Sequence, residues 1–280
     1  MTDLCKGRVV VVTGAGRGIG RAHALAFAAE GASVVVNDVG VAIDGSNASA
    51  GPAQDVVDEI VAMGGRAVAN TDDVADWAGA GRLIDTALSE FGSLDVLVNN
   101  VGFGMMGEHV EQDSKKLERM LTLNNILLSK LCMLVGQTMK ARGRGKILNI
   151  GSLAGFCPMP FFAAYSASKA FVINFSASLH EELKPYGVQV TCFCPSTTKT
   201  AFLDTAQSKH TSSSGIREFV SAQIATPEDV ARAGYAALKR GKRYALPGLS
   251  VTLQSLFIRM MPLGAMANLV HKKSVKADDR

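Results

Sequence analysis

Short runs of β-branched residues alternate with longer amphipathic segments, and this alternation restricts the fold more than any other feature of the sequence. The runs are RVVVVT (8–13), SVVVN (33–37), RAVANT (66–71), DVLVNN (95–100), KILNIGS (146–152), VQVTCFCP (188–195) and RYALP (243–247). Nearly continuous apolar strands separated by helical patterns are typical of βαβ units in a parallel sheet. We therefore expect an α/β protein with a seven-stranded, mostly parallel sheet and helices on both faces.

The chain of 280 residues shows no Pro- or Ser-rich linker, so we expect one domain over residues 1–280. Two segments are irregular. Residues 39–53 form a long run of small residues, which we interpret as a surface loop, and residues 197–225 have a Ser-rich centre. Long loops at the carboxyl end of a parallel sheet bind ligands, and we expect the second to be a substrate lid.

One segment carries complete helix signals. Thr226 is a capping residue, Pro227 occupies the first turn with two acidic residues behind it, and basic residues precede Gly241. We therefore predict a helix with both ends defined.

The C-terminal segment, about 249–280, is strongly apolar, with Arg259 the sole charge between Tyr244 and Val270. Prolines and glycines interrupt it, so it is a poor membrane span. We expect it to cover a substrate pocket or a subunit interface. Contact with a membrane surface, with Lys272, Lys273 and Lys276 near lipid headgroups, is a less favoured alternative.

Composition narrows the possible partners and the compartment. The net charge is +4, without a basic stripe, so we expect no nucleic-acid binding. The five cysteines are odd in number and mostly apolar in context, which favours reduced thiols in a cytoplasmic protein, and the N-terminus MTDLCKGR lacks a signal-peptide pattern. Cys192 and Cys194 should share one sheet face, and no ligand spacing indicates a metal site.

A glycine-rich turn follows the first predicted strand in VVVVTGAGRGIGRAHALAF (9–27). The G-x-G-x-x-G spacing fails, because position 19 is Ile19. A second spacing, T-G-x-x-x-G-x-G, fits Thr13, Gly14, Gly18 and Gly20. Glycines between a strand and a helix N-terminus let the backbone approach a pyrophosphate, so we predict a dinucleotide site.

Asp38 lies 20 residues beyond Gly18, at the end of the second predicted strand. A carboxylate there accepts hydrogen bonds from the adenosine ribose and repels a 2′-phosphate, which favours NAD. Arg17 in the loop favours NADP instead, because a guanidinium pairs with phosphate. We give Asp38 more weight and predict NAD.

Three residues in the second half of the chain indicate redox chemistry. Ser152 precedes Tyr165 by 13 residues, and Lys169 follows Tyr165 by four on a segment that is helical from Ala164. The two helical side chains therefore share one face. We expect Lys169, together with any charge on the cofactor, to lower the pKa of Tyr165 toward neutrality, so that Tyr165 exchanges a proton with an alcohol or carbonyl oxygen held by Ser152.

These motifs resemble the short-chain dehydrogenase/reductase family across nearly the whole chain. The loop at 13–20 resembles its cofactor loop, Asn99-Asn100-Val101-Gly102 its N-N-A-G turn, and Ser152, Tyr165 and Lys169 its catalytic triplet. The resemblance implies a single-domain Rossmann fold. The cofactor contacts that it and the motifs imply are Thr13, Gly14, Gly16, Arg17, Gly18, Ile19, Gly20, Asp38, Asp73, Val74, Asn100, Val101, Gly102, Tyr165, Lys169, Pro195, Ser196, Thr198 and Thr200.

The resemblance also implies a catalytic asparagine before the fifth strand, where Asn124 and Asn125 both occur and spacing favours Asn124. Two positions depart from the family pattern. Val101 replaces an alanine, a modest packing change. Ser196 replaces the glycine of P-G-x-x-x-T, where glycine lets the backbone approach the nicotinamide.

Residues 8–100 resemble the dehydrogenase part of multifunctional β-oxidation enzymes, whereas the chain from Gly102 resembles bacterial short-chain reductases. We expect an NAD-dependent oxidoreductase acting on a lipophilic secondary alcohol or ketone, such as a hydroxysteroid-like, hydroxyacyl or aromatic compound. The apolar residues expected near its pocket are Phe103, Met105, Met106, Phe156, Met159, Phe161, Phe162 and Phe202.

Two alternatives to this function stay open: an NADPH-dependent ketone reductase and a nucleotide-binding regulatory protein without turnover. The resemblance also implies a homodimer or homotetramer that is joined by the helices holding Asn124 and Tyr165.

Overall fold

The computed structural model describes residues 5–40, 51–199, 202, 206 and 225–278. These residues form one sheet of seven strands in the order β3-β2-β1-β4-β5-β6-β7, and every neighbouring pair is parallel. The strands are β1 (Val9–Thr13), β2 (Ser33–Asn37), β3 (Arg66–Asn70), β4 (Val96–Asn99), β5 (Gly145–Ile150), β6 (Val188–Phe193) and β7 (Tyr244–Ala245). The predicted α/β fold is confirmed, and the sheet is wholly parallel rather than mostly so.

The helices connect these strands. In chain order they are α1 (Gly18–Ala29), α2 (Gly51–Ala62), α3 (Trp77–Phe91), α4 (Ser114–Leu121), α5 (Leu128–Arg142), α6 (Ala163–Leu183), α7 (Pro227–Lys239), α8 (Gly248–Met260) and α9 (Leu263–Asp278). A π-helical segment, Thr122–Leu127, joins α4 to α5. Short 3₁₀ turns cover His109–Glu111, Leu153–Phe156 and Lys184–Tyr186.

Alternate residues of β1 face two different cores. Val10 and Val12 pack in a cluster with Phe27 of α1 and Ile60 of α2, whereas Val9 and Val11 pack in a cluster on the other face, together with residues of α3, α5 and α6. All of β1 is buried, as expected for a central strand covered on both faces. Cys192 and Cys194 of the β6 region share the second cluster, which confirms that they face the same side.

Two predicted boundaries are wrong. Residues 51–53, assigned to the loop 39–53, are the first turn of α2, where Pro52 is accommodated because the first N–H groups of a helix have no intrahelical partner. The last strand has two residues rather than five, because Pro247 has no N–H and instead precedes α8 as its N-cap residue. Residues 41–50 lie outside the described part of the chain.

The predicted helix at 226 is confirmed as α7. The Thr226 hydroxyl accepts a hydrogen bond from the Asp229 N–H at 3.1 Å, and Pro227 occupies the first turn. The helix ends at Lys239, and Gly241 two residues later has a φ of +63°.

The C-terminal helices α8 and α9 pack against the same end of the molecule as Tyr165. Val251 and Ile258 of α8 and Met266 and Val270 of α9 are buried in a third apolar cluster that includes Tyr165. Within the described chain, no single helix has the length and hydropathy of a membrane span. Gly248–Met260 and Leu263–Val275 satisfy that criterion only together, and they are bent by 119° relative to each other.

Candidate active site

The glycine-rich loop lies between β1 and α1, at the carboxyl end of the sheet. Gly14 and Gly18 have φ values of +61° and +53°, a region that glycine adopts without strain. The N-cap residue of α1, Arg17, makes no side-chain capping hydrogen bond, and the first turn has no acidic residue. The start of α1 therefore offers N–H groups and partial positive charge, and a phosphate is a suitable partner for both.

Close packing explains the glycine at position 20. A Cβ on Gly20 would lie 2.0 Å from the Gly14 oxygen and 2.5 Å from the Asn100 amide nitrogen. This contact holds the loop against the turn after β4. Ile19, which breaks the more common spacing, is partly buried against the apolar cluster around Phe27.

Thr13 and Asn100 fasten the ends of β1 and β4 together. The Thr13 hydroxyl accepts hydrogen bonds from the Asn100 N–H at 3.1 Å and the Val101 N–H at 3.2 Å. The Asn100 side-chain amide donates to the Thr13 and Gly14 carbonyl oxygens at 3.1 and 3.0 Å. Because β1 lies between β2 and β4, this is the topological switch point, where ligands bind in parallel α/β sheets.

Asp38 follows β2 directly and faces the glycine loop. Its two carboxylate oxygens accept hydrogen bonds from the Gly16 N–H at 2.8 Å and the Gly40 N–H at 2.9 Å. A Cβ on Gly16 would collide with this carboxylate at 2.8 Å, so the glycine there allows the contact. The Arg17 side chain is exposed.

The two residues implied to contact the adenine differ in exposure. Asp73 is exposed and its carboxylate accepts a hydrogen bond from the Ala75 N–H at 2.9 Å, whereas the Val74 side chain is 3% exposed and lies in the core. The Val74 side chain is therefore not available to a ligand.

Ser152, Tyr165 and Lys169 come together at the end of β5. The Ser152 side chain is hydrogen-bonded to that of Tyr165, and its oxygen also accepts from the Ala154 N–H at 3.2 Å. The Lys169 ammonium lies 5.8 Å from the centre of the Tyr165 ring and donates to the Ile150 carbonyl oxygen at 2.9 Å. Helix α6 thus presents both side chains on one face, as predicted from their spacing.

The expected lowering of the Tyr165 pKa is wrong as far as the side chains of the protein are concerned, because together these side chains raise it. Burial raises the pKa of Tyr165 to about 12, and the hydrogen bond from Ser152 opposes this only in part. Burial also lowers the pKa of Lys169 to about 8. The reason is geometric: the ammonium bonds to the Ile150 oxygen, and both side chains lose the solvation of their charged forms.

Asn124 lies in the π-helical segment, which is often a feature of functional sites. Its side-chain oxygen accepts from the Phe103 N–H at 3.2 Å, and its amide donates to the Phe103 oxygen and the Ser168 hydroxyl, both at 3.0 Å. The Asn125 amide instead donates to the Ser168 carbonyl oxygen at 2.8 Å. Asn124 is the one that faces the turn at Gly102, in agreement with the preference from spacing.

Sequence reasoning missed Ser168, which joins this segment to α6. Its hydroxyl donates to the Tyr165 carbonyl oxygen at 2.7 Å and accepts from Asn124. Its position one residue before Lys169 was the only signal that could have indicated a role.

The segment after β6 approaches the Ser152 turn. The Pro195 carbonyl oxygen accepts from the Leu153 N–H at 3.0 Å, and the Thr198 hydroxyl donates to the Ser196 oxygen at 3.2 Å. In the described part of the chain, Phe161 alone among non-glycine residues has a positive φ, so Ser196 has an ordinary backbone conformation that glycine is not needed to reach. Thr200 and most of the predicted lid at 197–225 lie outside the described residues.

The apolar residues expected near the pocket surround Tyr165. Phe162 stacks on the Tyr165 ring at a centroid distance of 4.3 Å, and Phe202 lies at 5.4 Å. All eight belong to one cluster: Met105, Met106, Met159 and Phe162 are buried, and Phe103, Phe156, Phe161 and Phe202 are partly buried. Residues of α8 and α9 complete this cluster, in agreement with the expectation that the apolar C-terminal segment covers either a pocket or a subunit interface.

A family model described as short chain dehydrogenase matches residues 8–211. The match covers most of the chain, and the protein belongs to the short-chain dehydrogenase/reductase family, whose members are oxidoreductases that act on CH–OH groups with a nicotinamide nucleotide.

Two curated relatives illustrate the range of the family. Probable oxidoreductase EphD of Mycobacterium tuberculosis is 37% identical over 188 residues, which are 67% of this chain and 30% of the relative, so the chain spans less than a third of that protein. The 3-oxoacyl-[acyl-carrier-protein] reductase of a Synechocystis species is 36% identical over 225 residues, 80% of this chain and 86% of the relative.

Two solved structures share the fold. A 7α-hydroxysteroid dehydrogenase complexed with NADH and 7-oxo glycochenodeoxycholic acid has a TM-score of 0.77 and 27% identity, covering 89% of this chain and 95% of its own. A short-chain dehydrogenase of Sphingobium yanoikuyae in complex with NADPH has a TM-score of 0.75 and 25% identity, covering 89% and 92%.

The residues at the switch point fit a nicotinamide dinucleotide. The start of α1 provides N–H groups for phosphate, and Asp38 provides acceptor oxygens for ribose hydroxyls. When bound, the nicotinamide supplies or accepts a hydride. The hydroxyl groups of Tyr165 and Ser152 are neighbours, and such a pair is chemically able to bind a substrate oxygen and exchange a proton with it.

Proposed function

We propose that this protein is an NAD-dependent oxidoreductase that interconverts a lipophilic secondary alcohol and its ketone. The observation that carries the lipophilic substrate class is the apolar cluster around Tyr165, which places aromatic and methionine side chains on the proton-transferring group. Such a lining suits a hydroxysteroid-like, hydroxyacyl or aromatic compound better than a short polar alcohol.

The position of Asp38 supports NAD over NADP. Its carboxylate is held by two backbone N–H groups at the end of β2, so it cannot swing away without breaking both hydrogen bonds. A 2′-phosphate beside it would be repelled. Arg17 is exposed on the same loop and provides the one observation that favours the alternative, an NADPH-dependent ketone reductase.

The hydroxysteroid dehydrogenase and the 3-oxoacyl reductase among the relatives support a substrate with a hydroxyl or oxo group on a large apolar skeleton. The regulatory alternative without turnover rests on Ser196: its φ is not in the region that favours glycine, but its side chain still occupies the place where the family's glycine lets the backbone approach the nicotinamide. We also propose a reducing, cytoplasmic setting, because all five cysteines are free thiols.

The test compares kcat/KM for NAD and NADP with a panel of hydroxysteroids, long-chain, aromatic and short polar alcohols. We expect a preference for NAD and for the lipophilic substrates. Asp38→Ala should lower that preference for NAD by about tenfold or more, the equivalent of one charge-assisted interaction. A higher kcat/KM with NADP in the wild type would overturn the cofactor assignment.

Tyr165→Phe distinguishes an enzyme from a binding protein. The variant retains the ring that stacks on Phe162 but lacks the hydroxyl. We expect kcat to fall by about 10²–10⁴-fold with dinucleotide affinity unchanged within a few fold. Wild-type binding of NAD without turnover of any alcohol in the panel would instead favour the regulatory reading.

A further inference from the structure

Helix α8 is apolar on two opposite faces. Its inner residues, Val251 and Ile258, are buried against the Tyr165 cluster. Its outer face carries large apolar side chains that remain exposed: Leu249 (75%), Leu253 (58%), Leu256 (48%), Phe257 (61%) and Met260 (84%). Their spacing places them on one helical stripe, and Leu263 at the start of α9 extends it with 72% exposure. We call these six residues the outer stripe.

An exposed apolar stripe of this length is unusual on a protein surface and indicates a contact with another apolar phase or molecule. Scattered exposed residues elsewhere, such as Val110, need no such explanation. We therefore expect the outer stripe to be covered by a binding partner or by lipid.

The charged residues along α8 and α9 are mainly basic. Four lysines and arginines lie between Arg259 and Lys276, and the one carboxylate in these two helices is Asp278, the last residue of α9. Arg259 lies within α8, and Lys272 and Lys273 are exposed on α9 together with His271. A second copy of this chain at the stripe would bring cations against cations, whereas an anionic lipid surface provides the opposite charge.

The shape of the segment suits a surface rather than a span. Helix α8 has 13 residues and is about 20 Å long, shorter than the roughly 30 Å hydrocarbon core of a bilayer. The bend of 119° between α8 and α9 prevents the two from continuing as one straight helix. A short helix with an apolar outer face and neighbouring cations is typical of interfacial binding.

We propose that the outer stripe of α8 docks on the surface of an anionic lipid bilayer, with the basic residues of α9 near the headgroups. The opposite face of α8 packs on the cluster around Tyr165, so docking brings the candidate pocket to the membrane surface. Docking does not depend on the proposed enzymatic reaction, and binding to vesicles tests it separately.

The experiment is co-sedimentation of the full chain with vesicles of neutral lipid alone and with about 30% anionic lipid, at low and high salt. We expect binding to the anionic vesicles that weakens as salt increases. Leu253→Ser/Phe257→Ser should weaken it by at least about tenfold, because two apolar side chains lose their burial in lipid. Lys272→Glu/Lys273→Glu should weaken it to a similar degree.

Val61→Ser/Met63→Ser is the matched control, since these side chains are 56% and 45% exposed on a different part of the surface. It should bind vesicles as the wild type does. A depth-sensitive measurement covers the case in which the serine variant does not fold. The chain has one tryptophan, Trp77, so Trp77→Phe/Phe257→Trp reports the environment of the stripe, and its emission should shift to shorter wavelength with anionic vesicles.

Two results would overturn the proposal. The first is a wild type that does not bind vesicles. If Leu253→Ser/Phe257→Ser then also has a lower molecular mass than the wild type in analytical ultracentrifugation, the outer stripe contacts a second copy of the chain. The other is vesicle binding that is equal in the stripe variant and the Val61→Ser/Met63→Ser control.

Discussion

Lys169 is a buried cation whose ammonium bonds to a main-chain oxygen. It is 6% exposed, and burial lowers its pKa from 10.5 to about 8. In the unfolded chain the pKa returns to its ordinary value, so the unfolded state binds more protons than the folded state between these two pH values. Folding stability contributed by this residue therefore increases as pH rises from about 8 toward 10.5 and is constant below that window.

Lys169→Met removes this dependence. The free energy of unfolding of the wild type, minus that of the variant, should increase by about 3 kcal/mol across the window. Urea unfolding at a series of pH values measures it, and the difference cancels the contributions of titrating groups that do not interact with Lys169. A difference that is flat with pH would show that Lys169 stays charged in the folded protein.

Spacing alone predicted that Tyr165 and Lys169 share a face, because a four-residue interval on a helix brings two side chains together. The direction of the Tyr165 pKa was not predictable. It depends on how deeply Tyr165 is buried and on the hydrogen bond that Lys169 donates to the Ile150 oxygen, and both follow from the packing of the folded chain.

At the scale of elements, the start of α7 depends on a local cap. Thr226 accepts from the Asp229 N–H and donates to the Asp229 carboxylate at 2.8 Å. This satisfies one of the N–H groups that a helix start leaves without a partner. Because all partners lie within four residues, the sequence was sufficient to predict it.

Thr226→Ala should lower the free energy of unfolding by about 1 kcal/mol, the usual loss for a helix cap. Ser178→Ala is the control, since its exposed hydroxyl only donates to the Asn174 oxygen at 3.1 Å within α6. We expect a change of less than about 0.5 kcal/mol for the control. Chemical denaturation of both variants measures their free energies of unfolding. An equal decrease in the two variants would contradict a specific role for the cap.

The π-helical segment at Thr122–Leu127, unlike the start of α7, could not be predicted from nearby residues. Its extra residue per turn has no residue signature, and its side-chain hydrogen bonds reach Phe103 and Ser168, which are 21 and 44 residues from Asn124. The sequence indicated that an asparagine lies there but not that the helix changes its hydrogen-bond pattern.

At the scale of the whole molecule, the alternation of strands and helices was enough to predict the sheet. It also places Asp38, Asn100 and Ser152 at one edge, because each follows the carboxyl end of a parallel strand. The association of several chains depends instead on surfaces that a single chain leaves exposed. Met133 on α5 and Phe171 on α6 are 51% and 43% exposed, and Ile126 in the π-helical segment before α5 is 51% exposed.

We expect these helices to form the interface of a homodimer or homotetramer, as the family resemblance implied. Met133→Glu/Phe171→Glu introduces charges that would lose their hydration on association, so the variant should sediment at a lower mass than the wild type in analytical ultracentrifugation. Val61→Glu/Met63→Glu on and after α2 adds the same charges elsewhere and should retain the wild-type mass. If the first variant keeps the wild-type mass instead, α5 and α6 do not carry the interface. The loss of mass should also be independent of vesicles, because the outer stripe of α8 belongs to a different surface.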